Sequence, residues 1–197
     1  MENEYQFTSK WFEDSEPYWK ELFKEFQPKS VLEIGCFEGR ATVFMIESAV
    51  RYIDCVDPWT DEGFDNVSIS GVTAQGVKNR FHLNTNIAMK NNTGATIFTH
   101  ECTSTEYFKM DRGAMYDMIY IDGSHRAIDV LSDAVRAWNC LNVGGVMVFD
   151  DYDWIAIDDP IGKQKPRLAI DAWAAVMKPF IKEWETDNPR QKYWIKL

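Results

Sequence analysis

Long apolar runs are missing from this chain. Stretches such as "VMVF" end after a few residues, whereas a membrane-spanning helix needs about 20. The opening "MENEYQFTSK" is polar and acidic and lacks the apolar centre of a secretion signal, so the cytoplasm is the expected location. Basic charge is also scarce. Lys and Arg total 21 against 31 Asp and Glu, a formal net charge of −10. Nucleic acid needs a basic face and is not an expected partner; neither is a membrane. The four cysteines, Cys36, Cys55, Cys102 and Cys140, form no CxxC pair, so neither a zinc knuckle nor a redox motif is suggested and buried free thiols are expected. No internal repeat, low-complexity tract or Pro/Gly/Ser-rich linker divides the 197 residues. One domain with a substantial core is the expectation.

What the chain does have is alternation. "SVLEIG" reads as a buried strand, "YIDCVD", "ATIFTH", "YDMIYID" and "GGVMVFDD" read as further strands, and the stretches between them carry helical spacing. One helix places Val77, Phe81, Ile87 and Ala88 on an apolar face. Another, over 125–141, places Ala127, Leu131, Ala134, Trp138 and Leu141 on one. At the end "FIKEWET" and "KYWIKL" flank the turn "DNPR" as an antiparallel hairpin. The predicted fold is α/β: a Rossmann-like, doubly wound, mostly parallel seven-stranded sheet closed by that hairpin. Residues 1–29 form an N-terminal helical cap, with Trp19, Phe23 and Phe26 at core spacing. Residues 30–155 form a cofactor-binding core, and 156–197 supply an acceptor loop, a helix and the hairpin.

Ligands of such sheets bind at the carboxyl ends of the strands. Here those ends carry Glu33 and Gly35, Asp57, Asp122, and Asp150 with Asp151. In "EIGCFEG", Gly35 and Gly39 shape a tight strand-to-helix turn. A dinucleotide fingerprint would place glycines where Phe37 and Arg40 stand, and Phe37 would obstruct a pyrophosphate. Glu33 suits a cationic ligand better than a phosphate. Asp57 follows Gly35 by about 20 residues, the spacing of an acid that accepts hydrogen bonds from both ribose hydroxyls of a nucleoside. A cationic nucleoside without phosphates points to S-adenosylmethionine.

With these stretches the chain resembles the class I S-adenosylmethionine-dependent methyltransferases, in the subgroup of small metal-dependent O-methyltransferases of the catechol and caffeoyl-CoA type. "VLEIGCFEGRAT" resembles the family's first motif, "VDPW" its ribose-acid strand, and "YIDGSH…LNVGGVMVFDDYDW" its fourth and fifth strands. The resemblance implies cofactor contacts at Glu33, Gly35, Cys36, Phe37, Gly39, Asp57, Pro58, Trp59, Thr103 and Asp122. It also implies one at Cys102, where relatives commonly carry an acid beside the adenine.

Asp122 ends the fourth strand and the Asp150–Asp151 pair ends the fifth, with room for one crossover helix between them. Adjacent parallel strands would bring three carboxylates to one rim, a costly arrangement unless a cation or protons compensate it. The resemblance implies Mg²⁺ on Asp122, Asp150 and Asp151. Relatives place a lysine general base three positions past the fourth-strand acid, and here His125 stands there, with Asp122 as its catalytic companion. The expected activity is Mg²⁺-assisted O-methylation of a small hydroxylated substrate or sugar, with a small-molecule acceptor as partner and a homodimer as the family-level expectation. Metal-independent O- or N-methylation by His125 alone, and a non-catalytic nucleoside-binding module, are the competing readings. Tyr152, Trp154 and Arg167, in the loop 150–167, are candidate acceptor contacts, as is Trp11.

Overall fold

Runs rich in Val, Ile and aromatic residues become strands, the central ones buried on both faces, and the half-polar stretches between them become helices. The computed structural model describes residues 4–60, 72–110, 113–155 and 164–197. Among these residues the strands are β1 (Ser30–Ile34), β2 (Tyr52–Val56), β3 (Thr96–His100), β4 (Tyr116–Ile121), β5 (Leu141–Phe149), β6 (Ile181–Glu183) and β7 (Lys192–Lys196). The helices are α1 (Glu16–Phe26), α2 (Arg40–Glu47), α3 (Ala74–Asn91), α4 (Ser104–Tyr107), α5 (Ala127–Ala137) and α6 (Pro166–Met177). One sheet contains all seven strands in the order β3-β2-β1-β4-β5-β7-β6. β1 to β5 run parallel, and β7 pairs antiparallel with both β5 and β6. The expected doubly wound sheet with a closing hairpin is what the chain builds.

Period-two alternation divides the core. Val31, Met118, Tyr120, Val146 and Val148 face one layer, packed by Trp19 and Phe23 of α1, Met45 and Ile46 of α2, and Val77 and Phe81 of α3. Leu32, Ile34, Ile119, Ile121, Met147 and Phe149 face the other, against Tyr107 of α4, Val130 and Ala134 of α5, and Ile170 and Trp173 of α6. Trp19 is fully buried and its indole N–H donates to Gln191 at 2.8 Å, which ties the N-terminal helix to the hairpin. No helix among the described residues is long and apolar enough to cross a membrane.

α5 corrects one expectation. It buries Val130, Asp133, Ala134 and Ala137, while Ala127, Leu131 and Trp138 are only partly covered. Apolar residues occur all round this helix, including exposed Ile128 and Val135, so spacing alone did not select the face that α6 and the sheet require. The helix also stops at Ala137, and Leu141 begins β5 after a short 3₁₀ turn.

The parallel ladders run one residue past the strands, which aligns their exits. Asp57 N–H donates to His100 O, Gly35 N–H to Val56 O, Asp122 N–H to Ile34 O and Asp150 N–H to Ile121 O, at 2.8–3.2 Å. Four chemically distinctive residues therefore stand in one row, on either side of the point where strand order reverses between β1 and β4.

Candidate active site

The turn after β1 is built around left-handed residues. Gly35 has φ +86°, and a Cβ there would lie 2.1 Å from the carbonyl oxygen of Asp122, so the position accepts only glycine. Phe37 (φ 47°) and Gly39 (φ 78°) continue the turn into α2. Asp57 organises it. One carboxylate oxygen accepts the backbone N–H groups of Cys36 at 2.9 Å and Phe37 at 3.0 Å, and the other accepts that of Trp59 at 2.7 Å. The Trp59 indole closes the ring by donating to Phe37 O at 3.0 Å. Burial raises the Asp57 carboxyl above its ordinary range despite these three amides.

Glu33 sits beneath this turn, 1% exposed, and accepts the Thr42 hydroxyl at 2.6 Å. Burial pushes its carboxyl up to about 8, so it holds a proton at neutral pH. Its contribution beside the turn is thus a neutral hydrogen-bonding group rather than the anionic charge its sequence position suggests. With the Cys36 and Cys55 thiols it forms a buried group whose nearest atoms all lie within 4.8 Å of one another. Burial likewise pushes both thiols above their ordinary range.

Asp122 and Asp150 meet across the β4–β5 exits. The buried Tyr120 hydroxyl donates to Asp122 at 2.9 Å and also reaches Asp150, and Gln191 donates to Asp150 at 2.8 Å. Burial, then the neighbouring acids, raises both carboxyls, Asp122 strongly. Asp151, at φ 56°, turns toward His125, whose Nε2 lies 2.9 Å away, and toward Arg190 at 3.9 Å. Consequently the three acids share a rim, but their oxygens are not gathered within 4.8 Å of one another. The His125 ring stacks on Trp154, centroids 4.2 Å apart and planes 16° from parallel.

A cleft of about 1030 Å³ opens over the row of exits. Glu33, Gly35, Cys36, Phe37, Asp57 and Pro58 line its middle, and Thr103, Ser104 and Thr105 line the part reached from β3. Asp122, His125, Asp150, Asp151 and Trp154 line the part beyond β4. Gly39, Trp59 and Cys102 are not part of the lining; Cys102 packs against the α4–α6 core. Trp11 lines the cleft and packs against Phe37, ring centroids 5.1 Å apart and tilted by 36°, while Trp19 and Phe23 are core residues. Tyr152 and Arg167 are diverted: the Tyr152 hydroxyl donates to Asp171 of α6 at 2.9 Å, and the Arg167 guanidinium lies 5.0 Å above the Tyr152 ring. Residues 156–163 of the expected acceptor loop lie outside the described residues.

Four contributors had not been singled out from sequence. Tyr120 had a signal, since two positions before Asp122 on a strand is the same face. Arg190 and Gln191 enter from the hairpin turn, and Asp133 from the second turn of α5.

Residues 32–152 match the family described as Methyltransferase domain. No curated protein matches the chain in sequence. Among solved structures it is similar to the O-methyltransferase from Bacillus cereus in complex with SAH, at TM-score 0.63 and 12% identity over 92% of this chain and 80% of that one. It is also similar to TomG from Streptomyces achromogenes, an O-methyltransferase of tomaymycin synthesis in complex with SAM, at TM-score 0.61 and 13% identity over 89% and 76%. A third, CalS11, the TDP-rhamnose 3′-O-methyltransferase of calicheamicin biosynthesis, aligns at TM-score 0.61 and 13% identity over 95% and 81%.

Proposed function

The chain belongs to the methyltransferase-domain family, and from that premise we propose that it transfers a methyl group from S-adenosylmethionine to a hydroxyl of a small acceptor, with Mg²⁺ at the strand-exit acids. The observation that carries this reading is the single row of exits, with Asp57 and Gly35 on one side of the sheet's switch point and Asp122 and Asp150 on the other, under one cleft. The volume suits a nucleoside cofactor with a small acceptor beside it. The acidic lining and the Phe37 side chain in the glycine turn suit a cationic, phosphate-free cofactor. Asp122 and Asp150 offer the metal hard oxygens and are held by the neutral groups of Tyr120 and Gln191, while Asp151, turned toward His125, would have to swing in to complete the set. A divalent ion there would relieve the mutual repulsion that adds to burial in raising both carboxyls.

When bound, the cofactor supplies an electrophilic sulfonium methyl and the metal lowers the acceptor hydroxyl's pKa. The protein's own part is placement and proton traffic. Asp57 holds the turn at Cys36 and Phe37 and keeps lone-pair capacity for a ribose hydroxyl. Tyr120 and Gln191 fix the carboxylate planes of Asp122 and Asp150. His125, oriented by Asp151 and by the Trp154 ring, stands on the acceptor side as the group that takes the hydroxyl proton. Trp11 and Trp154 line the cleft, and an acceptor aligned there gains several kcal/mol of barrier lowering from orientation alone. The net charge of −10 favours a neutral or cationic small acceptor over nucleic acid.

The His125–Asp151 contact favours a second reading, in which the histidine works without metal. Calorimetry separates the two. S-adenosylmethionine titrated into metal-stripped protein is expected to bind at one site. Mg²⁺ is expected to give its own heat in the wild type and none in Asp150→Ala. Cofactor binding with no Mg²⁺ heat in the wild type, and turnover indifferent to EDTA, would leave the metal-free reading. No cofactor binding in any sample would remove the methyltransferase assignment's substrate.

A further inference from the structure

The loop that follows β3 brings no carboxylate to the cleft. Cys102 packs inward, Thr103 caps α4, and the Glu106 side chain folds back onto the Thr103 amide and hydroxyl. A carboxylate reaches the same region from the neighbouring helix α5. Asp133, in the second turn of α5, lines the cleft together with Ser132 and the Thr103–Thr105 segment, although it is only 4% exposed. Buried acids of this kind are rarely found without a donor to satisfy them. Asp133 has the Ser104 hydroxyl, and the Arg136 guanidinium one turn on is directed at Thr105 O at 3.3 Å. A carboxylate offers about four acceptor positions, so most of its capacity is unspent by Ser104.

We propose that Asp133 is the residue that reads the base of the cofactor, its carboxylate accepting a hydrogen bond from the 6-amino group of adenine. This inference rests on the S-adenosylmethionine reading above. Taken along the row of exits, the cleft runs from the acids of β4 and β5, past the glycine turn and Asp57, to the wall formed by α4 and α5. With a sulfonium beside Asp122 and a ribose at Asp57, the base reaches that wall. Burial raises the Asp133 carboxyl to about 6, which still leaves it mostly ionised at neutral pH and a strong acceptor. A site built around a donor rejects the analogue that lacks it, because the buried acceptor is then desolvated for nothing.

The test compares S-adenosylhomocysteine with its 6-deamino analogue, in which hydrogen replaces the amino group, by calorimetry on wild type and Asp133→Ala. The wild type is expected to prefer the amino compound about tenfold or more, the range of a hydrogen bond to a charged group. Asp133→Ala is expected to bind the two within about threefold of each other, by the same reasoning. A wild type that binds both equally overturns the inference and leaves the cofactor assignment standing. A preference that survives in Asp133→Ala does the same. A wild type that binds neither overturns both. Should Asp133→Ala fail to fold, a crystal structure of wild type with S-adenosylhomocysteine decides: a water or a backbone carbonyl on the amino group instead of Asp133 sinks the proposal.

Discussion

Gly35→Ala is expected to destabilise the protein by several kcal/mol and to abolish cofactor binding. The added methyl carbon would sit 2.1 Å from Asp122 O, 2.5 Å from Asp122 C and 2.6 Å from Gly123 Cα. All three are backbone atoms at the exit of β4, so no side chain can turn away to make room. The φ of +86° adds a left-handed penalty of about 1 kcal/mol for a residue with a Cβ. Relief requires β1 and β4 to part at their carboxyl ends, which breaks the Asp122 N–H to Ile34 O bond and tilts Asp122 off the rim. A loss of about 4 kcal/mol in a domain of this size lowers Tm by roughly 8–16 °C. Gly39→Ala provides the contrast. It shares the positive φ, but its Cβ would meet the edge of the buried Phe81 ring at 2.9 Å, a side chain rather than backbone. Its expected cost is about 1–2 kcal/mol, with cofactor binding weakened rather than lost. Thermal unfolding and calorimetry on both variants check the order; equal melting temperatures would show that the β1–β4 exit is softer than its packing implies.

That crowding also explains why so much of the site was legible. A strand that must pass its neighbour's backbone ends on glycine, and strands buried on both faces read as apolar runs, so β1, β2, β4 and β5 and their terminal residues announced themselves. The rim acids follow from two exits and one crossover. What stayed hidden depends on contacts distant in sequence. Gln191 reaches Asp150 because β7 lies antiparallel beside β5, a pairing no local pattern encodes. Arg190, in what reads as a plain turn, lines the cleft for the same reason. Asp133 breaks the apolar face of α5, and a polar residue in a helix carries no periodic signal of burial. Tyr152 and Arg167 flank the acceptor loop in sequence, yet they are claimed by each other and by Asp171. Glu33 was legible as a cleft residue but its protonation was not: strand position is local, whereas protonation depends on the residues of α2 and β2 packed around it.

The protonation of Glu33 has the second large consequence. Its carboxyl is raised to about 8 by burial, against the Thr42 and Cys55 hydrogen bonds that lower it, with the nearby Asp57 charge raising it further. In the unfolded chain it titrates near its ordinary value of 4.5. Between those two values the native state holds a proton that the unfolded state has released. Stability therefore falls as pH rises through this window, and each pKa unit corresponds to about 1.4 kcal/mol. Asp57, also raised by burial, pulls in the same direction, so the wild-type slope alone does not identify Glu33. Glu33→Gln isolates it. The amide oxygen can keep both the Thr42 hydroxyl and the Cys55 thiol, which donate to the same carboxyl oxygen, while its N–H₂ takes the place of the other oxygen in the core, a pH-independent cost of about 1 kcal/mol. At pH 5 the variant should be slightly less stable than the wild type. At pH 8.5 it should be more stable by a few kcal/mol, because the wild type must by then deprotonate a carboxyl inside the core or unfold. Urea denaturation of both proteins at pH 5, 7 and 8.5 measures the difference. A stability gap that stays constant across that range would mean the carboxyl ionises freely in place, and that an anionic Glu33 does face the cationic cofactor after all.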